Sequence, residues 1–225
     1  MGKARFVLVP GAGGSAWYWH RVVERLTAAG QDAVAVELPN HDGATFADHA
    51  DAIVTAAGDA AAVVLVAQSM GGFAAPMAVS RLPVRRLILV NAMVPLPGET
   101  AGEWWEATGQ PAAVRANDIA AGRDPDAEFD PFVVFLHDLP PGVVAESEGQ
   151  DRAPASSLFA SPCDIVAWPD VPTTVVVGSD DRLFPPDFQR RVARDRLGAD
   201  VVVVPGGHLV ALGHPDELIA ALTSN

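Results

Sequence analysis

Six short runs of apolar, mostly β-branched residues recur along the chain, each close to a Gly or Pro. They are Phe6–Val9, Ala33–Val36, Val63–Ala67, Leu87–Val90, Thr173–Val177 and Val201–Val204. Because polar residues do not alternate with apolar ones in these runs, each strand should be buried on both faces, as in a parallel sheet. Parallel strands need long crossover connections, so this feature restricts the chain to folds in which helices cover a mostly parallel sheet.

Helical patterns fill the intervals between these runs. The first has apolar residues three or four positions apart and ends near Gly30: Trp19, Val22, Val23 and Leu26. The second follows Thr45, has Asp48 in the capping-box position, and carries Phe46, Ala50, Ile53 and Ala57. The last follows Pro215 and carries Leu218, Ile219 and Leu222. Alternating strands and helices predict an α/β fold with about six mostly parallel strands and right-handed crossovers.

One segment interrupts the alternation, from about residue 96 to 168. It has no convincing strand, many Pro and Gly, and seven aromatic residues: Trp104, Trp105, Phe129, Phe132, Phe135, Phe159 and Trp168. A structureless insertion of this length is improbable in a compact domain, so we expect a small helical cap. Most of these aromatics should hold the cap together, and some should line a pocket. We therefore expect one domain over 1–225, with a core of 1–95 and 169–225 and the cap between them.

The charge balance excludes several kinds of partner. The 225 residues include 15 Lys and Arg against 28 Asp and Glu, a formal net charge of −13. Nucleic acids and anionic membranes attract clustered basic residues, so neither is an expected partner, and a small-molecule substrate fits better. Lys3 is the only lysine, which removes Schiff-base and P-loop chemistry from the candidates.

The cysteine content and the hydropathy favour a soluble, cytoplasmic protein. Cys163 is the only cysteine, so it has no partner for an internal disulfide or a Cys-based zinc site. The first apolar stretch, Phe6–Val9, is too short for a secretory signal. No later stretch reaches the roughly 20 apolar residues that a membrane helix needs.

A serine stands where one buried run turns directly into a helical pattern. The stretch is Val63-Val64-Leu65-Val66-Ala67-Gln68-Ser69-Met70-Gly71-Gly72-Phe73. A nucleophile elbow has the form G-x-S-x-G because the serine occupies a strained turn, and small flanking residues let the strand and helix backbones pass closely. Alanine replaces the first glycine here, which adds only a methyl group. The pattern favours Ser69 as a nucleophile, although a serine at such a turn can also simply cap the helix.

Acidic residues and a histidine follow two later strands. Gly178-Ser179-Asp180-Asp181 comes after the fifth run, and Pro205-Gly206-Gly207-His208 comes after the sixth. Functional sites of α/β sheets gather at the carboxyl ends of the strands, so these loops should meet the serine there. The order serine, aspartate, histidine is that of the α/β hydrolases and differs from the other serine hydrolase classes. Together the loops predict a triad for nucleophilic acyl transfer.

The chain resembles the α/β-hydrolase superfamily over nearly its whole length, and most closely the small branch of plant methylesterases and hydroxynitrile lyases. The resemblance rests on the elbow, on Gly206-Gly207-His208 and on Val7-Leu8-Val9-Pro10-Gly11-Ala12-Gly13-Gly14-Ser15-Ala16-Trp17-Tyr18-Trp19. It implies the α/β-hydrolase fold and a serine esterase in which His208 takes the proton of Ser69. Where the family usually has His-Gly after its first strand, this chain has Pro10-Gly11, so that histidine side chain is absent.

The resemblance also implies an oxyanion hole and the turns that support it. The N–H groups of Met70 and Ala12 should hold the oxyanion, the first because it follows the nucleophile and the second because its loop lies opposite. Gly11, Gly13 and Gly71 should shape the supporting turns.

Two of the assignments have rivals in the sequence. The family spacing Gly-x-x-Asp selects Asp181 and leaves Asp180 as a turn residue. His208 is favoured over His214, which stands beside Pro215 at a helix start. The remaining histidines lack metal-ligand spacing and are expected at the surface or in the cap: His20, His41, His49 and His137. The sequence thus predicts neither a metal site nor a cofactor.

Dinucleotide binding is an alternative interpretation of the first loop. The residues Gly11–Ala16 satisfy G-x-G-x-x-A, and Glu37 ends the second run where an acidic residue would bind a ribose. This interpretation leaves Ser69 and the later loops unexplained. It also places the bulky Trp17-Tyr18-Trp19 at the start of the helix that should face the pyrophosphate.

Two further alternatives share the hydrolase scaffold. Hydroxynitrile lyases of this branch that use a lysine carry it just after the catalytic histidine, where this chain has Leu209. A ligand-binding pseudo-hydrolase is also possible, because fold does not determine function. The preferred hypothesis is a serine esterase that cleaves a small, mostly apolar ester through an acyl-enzyme on Ser69, without cofactors.

Overall fold

The computed structural model describes residues 3–150 and 152–224. Its centre is one six-stranded sheet with β1 Arg5–Val9, β2 Asp32–Ala35, β3 Val63–Gln68, β4 Val84–Val90, β5 Thr173–Gly178 and β6 Val201–Val204. The strands lie in the order β2-β1-β3-β4-β5-β6, and every neighbouring pair is parallel. Each of the six apolar runs therefore forms a strand, and the predicted α/β class is confirmed.

Helices fill the intervals between the strands and follow the last strand, and α1, α2 and α10 lie close to the three helical patterns of the sequence. They are α1 His20–Ala28, α2 Phe46–Ala57, α3 Gly71–Val79, α4 Ala101–Thr108, α5 Gln110–Ala120, α6 Pro131–Val134, α7 Pro141–Ser147, α8 Pro186–Leu197, α9 Val210–Gly213 and α10 Pro215–Thr223. The predicted capping box is present, since Thr45 Oγ1 accepts from the Asp48 N–H while Asp48 Oδ2 accepts from the Thr45 N–H. No helix in the described residues combines the length and apolar character needed to cross a bilayer.

Successive strand residues point to opposite faces of the sheet and contribute to two apolar clusters. In β1, Val7 and Val9 belong to one cluster, while Phe6 and Leu8 belong to the other. Helices α2, α3 and α8 cover the first cluster, and helices α1, α9 and α10 cover the second. This two-sided cover explains why the central strands contain uninterrupted apolar runs, namely Phe6–Val9, Val63–Ala67 and Leu87–Val90.

Strand β6 departs from the predicted burial. Val202 and Val203 are 42% and 45% exposed. The strand lies at the end of the sheet order, next to β5 alone. The prediction of burial on both faces is therefore wrong for β6, and β2 at the other edge of the sheet also contains no fully buried residue. An apolar run does not reveal which strands will form the edges.

The segment between β4 and β5, called the cap below, is helical and contains no named strand. It contains α4 to α7 and a 3₁₀ turn, Ser156–Ala160. Outside the named strands, the β pairing among the described residues is one isolated antiparallel bridge, between Thr100 and Pro162. The cap is thus built from short helices and turns that lie over the carboxyl ends of the strands.

The aromatic side chains of the cap have different environments. Trp104 is fully buried, with its ring 5.2 Å from that of Phe184 and 5.7 Å from that of Phe188, both of which follow β5. By contrast, Phe129 and Phe132 are 66% and 63% exposed. Some of the aromatics therefore anchor the cap to the core, and others face solvent, so they do not simply form the interior of the cap.

The strand order creates a crevice at one place in the sheet. The chain leaves β1 for β2 on one side, while β3 lies on the other side of β1. In open parallel sheets, ligands bind outside the carboxyl ends of the strands at such a reversal. The loop after β1 carries Gly11, and the turn after β3 carries Ser69. The fold thus places these two predicted parts of the site at one crevice.

Candidate active site

Ser69 occupies the sharp turn between β3 and α3. Its φ is +50°, a left-handed backbone conformation that is uncommon for any residue with a side chain. Its carbonyl accepts hydrogen bonds from the N–H groups of Gly72 and Met93, both at 3.0 Å. Such strain costs about 1–3 kcal/mol and persists only where surrounding contacts hold it. This geometry is that of a nucleophile elbow.

Glycines after Ser69 allow the elbow to fit under its neighbours. A Cβ at Gly71 would lie 2.6 Å from the Pro10 carbonyl oxygen, and one at Gly72 would lie 1.9 Å from the Met93 carbonyl oxygen. Both distances are too short for a real side chain. The sequence pattern identifies Gly71, and the structure adds Gly72 as the tighter of the two contacts.

Gly72→Ala should therefore destabilise the protein by roughly 3 kcal/mol, because the added methyl must displace a buried backbone segment. Urea unfolding followed by circular dichroism measures this loss. Gly142→Ala is the matched control, since Gly142 lies in helix α7, where an added Cβ would have no atom within 4 Å. The control should be unchanged or slightly more stable. Equal stability of the two variants would contradict the close approach at Gly72.

The acidic loop places Asp181 against the histidine. Its Oδ2 lies 2.8 Å from His208 Nδ1, and its Oδ1 accepts from the N–H groups of Leu183 and Phe184 at 2.9 and 2.8 Å. Asp181 is buried, whereas Asp180 is exposed and accepts from the Ser179 hydroxyl. Of the two candidate acids, the structure brings Asp181 to the site.

His208 completes a chain of hydrogen bonds to the serine. Its Nε2 lies 3.0 Å from Ser69 Oγ. The imidazole is buried and contacts two phenyl rings, with centroid distances of 5.1 Å to Phe184 and 5.5 Å to Phe135 of the cap. Its two ring nitrogens face Asp181 and Ser69. This arrangement suits a histidine that moves a proton from an attacking hydroxyl.

His214 lies elsewhere. Its Nε2 is 3.8 Å from Asp138 Oδ2, and its side chain is 31% exposed. Of the two candidate histidines, the structure thus brings His208 to the serine.

The loop after β1 closes tightly on the elbow. A Cβ at Gly11 would lie 2.8 Å from Ser69 Cβ, so glycine is needed for this approach. Gly13 has a φ of +81°, and its Cβ would lie 2.2 Å from the Arg152 carbonyl oxygen. Within the described residues, the N–H groups of Ala12 and Met70 donate to no protein acceptor. Both amides therefore remain available for an oxyanion.

Three of the other histidines contact backbone carbonyl oxygens, whereas both ring nitrogens of His137 in the cap are buried without a hydrogen-bond partner among the described residues. His20 Nδ1 lies 2.7 Å from the Trp17 carbonyl oxygen, and the exposed His41 Nδ1 lies 3.0 Å from its neighbour's carbonyl oxygen. His49 is buried, which corrects the expected surface or cap position, and burial lowers its pKa. It lies on the same face of α2 as Phe46, three residues earlier. Among the described residues, no group of three or more His, Cys, Asp or Glu could hold a metal ion.

The sequence patterns do not single out three polar side chains at the site. Asn91 follows β4 with a φ of +44° and donates from Nδ2 to the carbonyl oxygens of Gly207 and His208, at 3.0 and 3.2 Å. Asp138 of the cap accepts from the Gly207 N–H at 2.6 Å. Gln189 of α8 contacts the acidic loop. Only Asn91 has a sequence signal, because it is a polar residue directly after a buried strand.

Glu37, the acidic residue that dinucleotide binding would require, already has a hydrogen-bond partner and an ion-pair partner. Glu37 accepts from the Ala16 N–H at 2.8 Å and forms an ion pair of 2.6 Å with Arg152. The Arg152 carbonyl also lies over Gly13, in the loop where a pyrophosphate would have to approach. The structure therefore gives this interpretation no support.

Comparison with known proteins assigns the family. The model of the alpha/beta hydrolase family matches residues 6–221, and the chain belongs to this family. Esterase PIR7B of Oryza sativa subsp. japonica is 33% identical over 114 residues, which cover 44% of this chain and 42% of the rice protein. The matched stretch thus spans less than half of that relative. Alpha/beta hydrolase nvfD of Aspergillus novofumigatus is 28% identical, covering 96% of this chain and 94% of the fungal protein.

Solved structures share the fold over nearly the whole chain. A crystal structure of polyneuridine aldehyde esterase superposes with a TM-score of 0.77 at 20% identity, covering 98% of each chain. The methylesterase protein MES16 from Arabidopsis has a TM-score of 0.75 at 20% identity and 97% coverage of each chain. The predicted resemblance to the plant methylesterases thus holds at the level of the fold.

Proposed function

We propose that this protein is a serine esterase that hydrolyses small, uncharged, mostly apolar carboxylic esters. The observation that carries the proposal is the continuous chain from Ser69 Oγ to His208 Nε2 at 3.0 Å and from His208 Nδ1 to Asp181 Oδ2 at 2.8 Å. The family membership and the esterase names of relatives from rice and other plants support it.

Acylation would begin with attack by Ser69 Oγ on the ester carbonyl carbon while His208 Nε2 accepts the hydroxyl proton. Asp181 stabilises the resulting imidazolium and fixes the tautomer in which Nδ1 carries a proton. When the tetrahedral intermediate collapses, the bond to the alcohol oxygen breaks, and that oxygen takes the proton from Nε2. Water then repeats the sequence on the acyl-enzyme, releasing the carboxylic acid and the free serine.

The oxyanion would be held by the N–H groups of Met70 and Ala12. Met70 directly follows the nucleophile and is the N-cap of helix α3, so its amide also lies at the positive end of the helix dipole. Ala12 is in the turn that Gly11 brings against Ser69. Each such donor is typically worth about 100-fold or more in rate.

The surroundings of His208 favour an apolar substrate. Phe135 of the cap is half-buried, and its ring centroid lies 5.5 Å from that of the imidazole, so a bound ester would contact aromatic carbon there. The net charge of −13 disfavours polyanionic substrates through long-range repulsion and favours departure of the carboxylate product.

A hydroxynitrile lyase that uses a lysine is less well supported. Leu209 occupies the position after His208 and packs against the apolar cluster beneath the sheet. The only lysine, Lys3, donates to the Gly30 carbonyl at 2.7 Å, near the amino ends of β1 and β2. It thus lies at the opposite end of the sheet from Ser69.

The proposal predicts labelling by a fluorophosphonate probe and a clear substrate preference. A short-chain neutral aryl ester should show a kcat/KM at least about tenfold higher than a polyanionic aryl ester of the same acyl group. Added salt at about 0.5 M should narrow this ratio, because it screens the net charge. If the wild-type protein is neither labelled nor able to hydrolyse any aryl ester in a panel of acyl lengths, it is a ligand-binding pseudo-hydrolase instead.

A further inference from the structure

A buried glutamine outside the triad contacts the catalytic acid. Gln189 lies in helix α8, and its side chain is buried. Its Nε2 lies 2.6 Å from the Phe184 carbonyl oxygen, 3.2 Å from Asp181 Oδ2 and 3.3 Å from Asn91 Oδ1. All three neighbours are acceptors, so the amide nitrogen, and not the amide oxygen, must face them.

Gln189 contacts the same carboxylate oxygen of Asp181 that contacts His208. Oδ1 is occupied by the two backbone N–H groups of Leu183 and Phe184, whereas Oδ2 receives both Gln189 Nε2 and His208 Nδ1. The buried carboxylate thus shares its charge among four N–H groups. Hydrogen bonds to a carboxylate stabilise its charged form and reduce the charge that it presents to any one neighbour.

Asn91 connects this arrangement to the histidine loop. Its Oδ1 accepts from the Gly178 N–H at 2.7 Å and faces Gln189, while its Nδ2 donates to the carbonyl oxygens of Gly207 and His208. Two buried amides therefore bridge the carboxyl end of β5, the acidic loop and the histidine loop. These side-chain bonds add to the main-chain bond that the Asp180 N–H donates to the Gly206 carbonyl oxygen at 2.9 Å.

We propose that Gln189 is a positioning residue for the catalytic acid. Its amide holds Asp181 Oδ2 towards His208 Nδ1 and takes up part of the carboxylate charge. The carboxylate therefore presents less charge to the imidazolium that forms when His208 accepts the serine proton than an unshared carboxylate would. This inference rests on the proposed esterase function, because it concerns the same triad.

Other titratable groups surround Asp181 and His208, and none of them is substituted in the variants of Gln189 and Gln110 below. They are His137 and Asp138 of the cap, Tyr18 before α1, Asp180 and Arg182 of the acidic loop, and His214 before α10. Because these groups are common to the wild type and the variants, a difference in pH dependence reports the change at residue 189.

Gln189→Met keeps the length of the side chain and removes its donor. We expect the acidic limb of kcat/KM against pH to move up by about 0.5–1 pH unit, because the carboxylate now holds the imidazolium more strongly. kcat at neutral pH should fall about tenfold, because Asp181 Oδ2 is no longer held towards His208 Nδ1. KM should be unchanged, since Gln189 does not touch the substrate. Gln110→Met is the matched control: Gln110 is also buried and donates to the same loop, at the Leu183 carbonyl, 2.6 Å away. Its acidic limb should not move.

Nuclear magnetic resonance tests the inference without relying on turnover. In the wild-type protein, the Gln189 side-chain amide resonance should titrate with the same midpoint as the His208 imidazole, since both protons share one carboxylate oxygen, while the Gln110 amide should not. An acidic limb that stays in place or moves down in Gln189→Met, or a Gln189 amide without this titration, overturns the proposal. Absence of esterase activity with the shared titration intact would instead reject the proposed function alone.

Discussion

Replacement of Ser69 by alanine should lower kcat for aryl-ester hydrolysis by a factor on the order of 10⁵ and abolish fluorophosphonate labelling. The reason is that Oγ is the atom that lies 3.0 Å from His208 Nε2 at the crevice. The substitution removes one oxygen and leaves the backbone bonds of the elbow in place. Unfolding in urea should therefore change little, and it provides the check that activity is not lost through misfolding.

Ser161→Ala is a suitable control for this variant. Ser161 is also buried, but its Oγ accepts from the Phe46 N–H at 2.9 Å, on a helix that carries no triad residue. It should remain active and labelled. Persistent labelling of Ser69→Ala, or loss of labelling in Ser161→Ala with the fold intact, would show that the nucleophile is not Ser69.

Much of the fold could be predicted because its signals are local. Uninterrupted apolar runs identify strands buried on both faces, and Thr45 with Asp48 identifies the start of α2, where the structure has both capping hydrogen bonds. The edge position of β6 could not be predicted, since Val202 and Val203 face solvent for a topological reason. The burial of His49 has a similar origin, because it depends on which face of α2 meets the sheet.

The site likewise combines residues that local sequence signals identify with residues that only the three-dimensional structure reveals. Ser69, Asp181 and His208 each follow a strand within a few residues, and parallel strands bring their carboxyl ends together. Asn91 and Gln189 act through contacts between distant segments: Asn91 reaches Gly207 across 116 positions of sequence. Such contacts depend on side-chain packing in three dimensions, which no motif encodes.

The second large effect on kcat is expected for replacement of His208, in the loop after β6. His208→Ala should lower kcat by a factor on the order of 10⁵, because His208 is the base that lies within hydrogen-bond distance of Ser69 Oγ among the described residues. His214→Ala should change kcat less than about threefold, since His214 faces Asp138 and is 31% exposed. The pH profile adds a second criterion. The acidic limb of kcat/KM should persist in His214→Ala and vanish from the residual activity of His208→Ala, because that limb reports protonation of the general base.

The two histidines also differ in how their loss should affect stability. His208 is buried and contacts Phe135 and Phe184, so its removal leaves a cavity and should cost about 2–3 kcal/mol on urea unfolding. Removal of the partly exposed His214 should cost less. When kcat is compared between the two variants at a temperature and urea concentration where both are folded, an effect on the chemical step is separated from an effect on stability. If His214→Ala loses hydrolysis while His208→Ala retains it, the base has been assigned to the wrong loop residue, and the contact between His208 and Asp181 is structural.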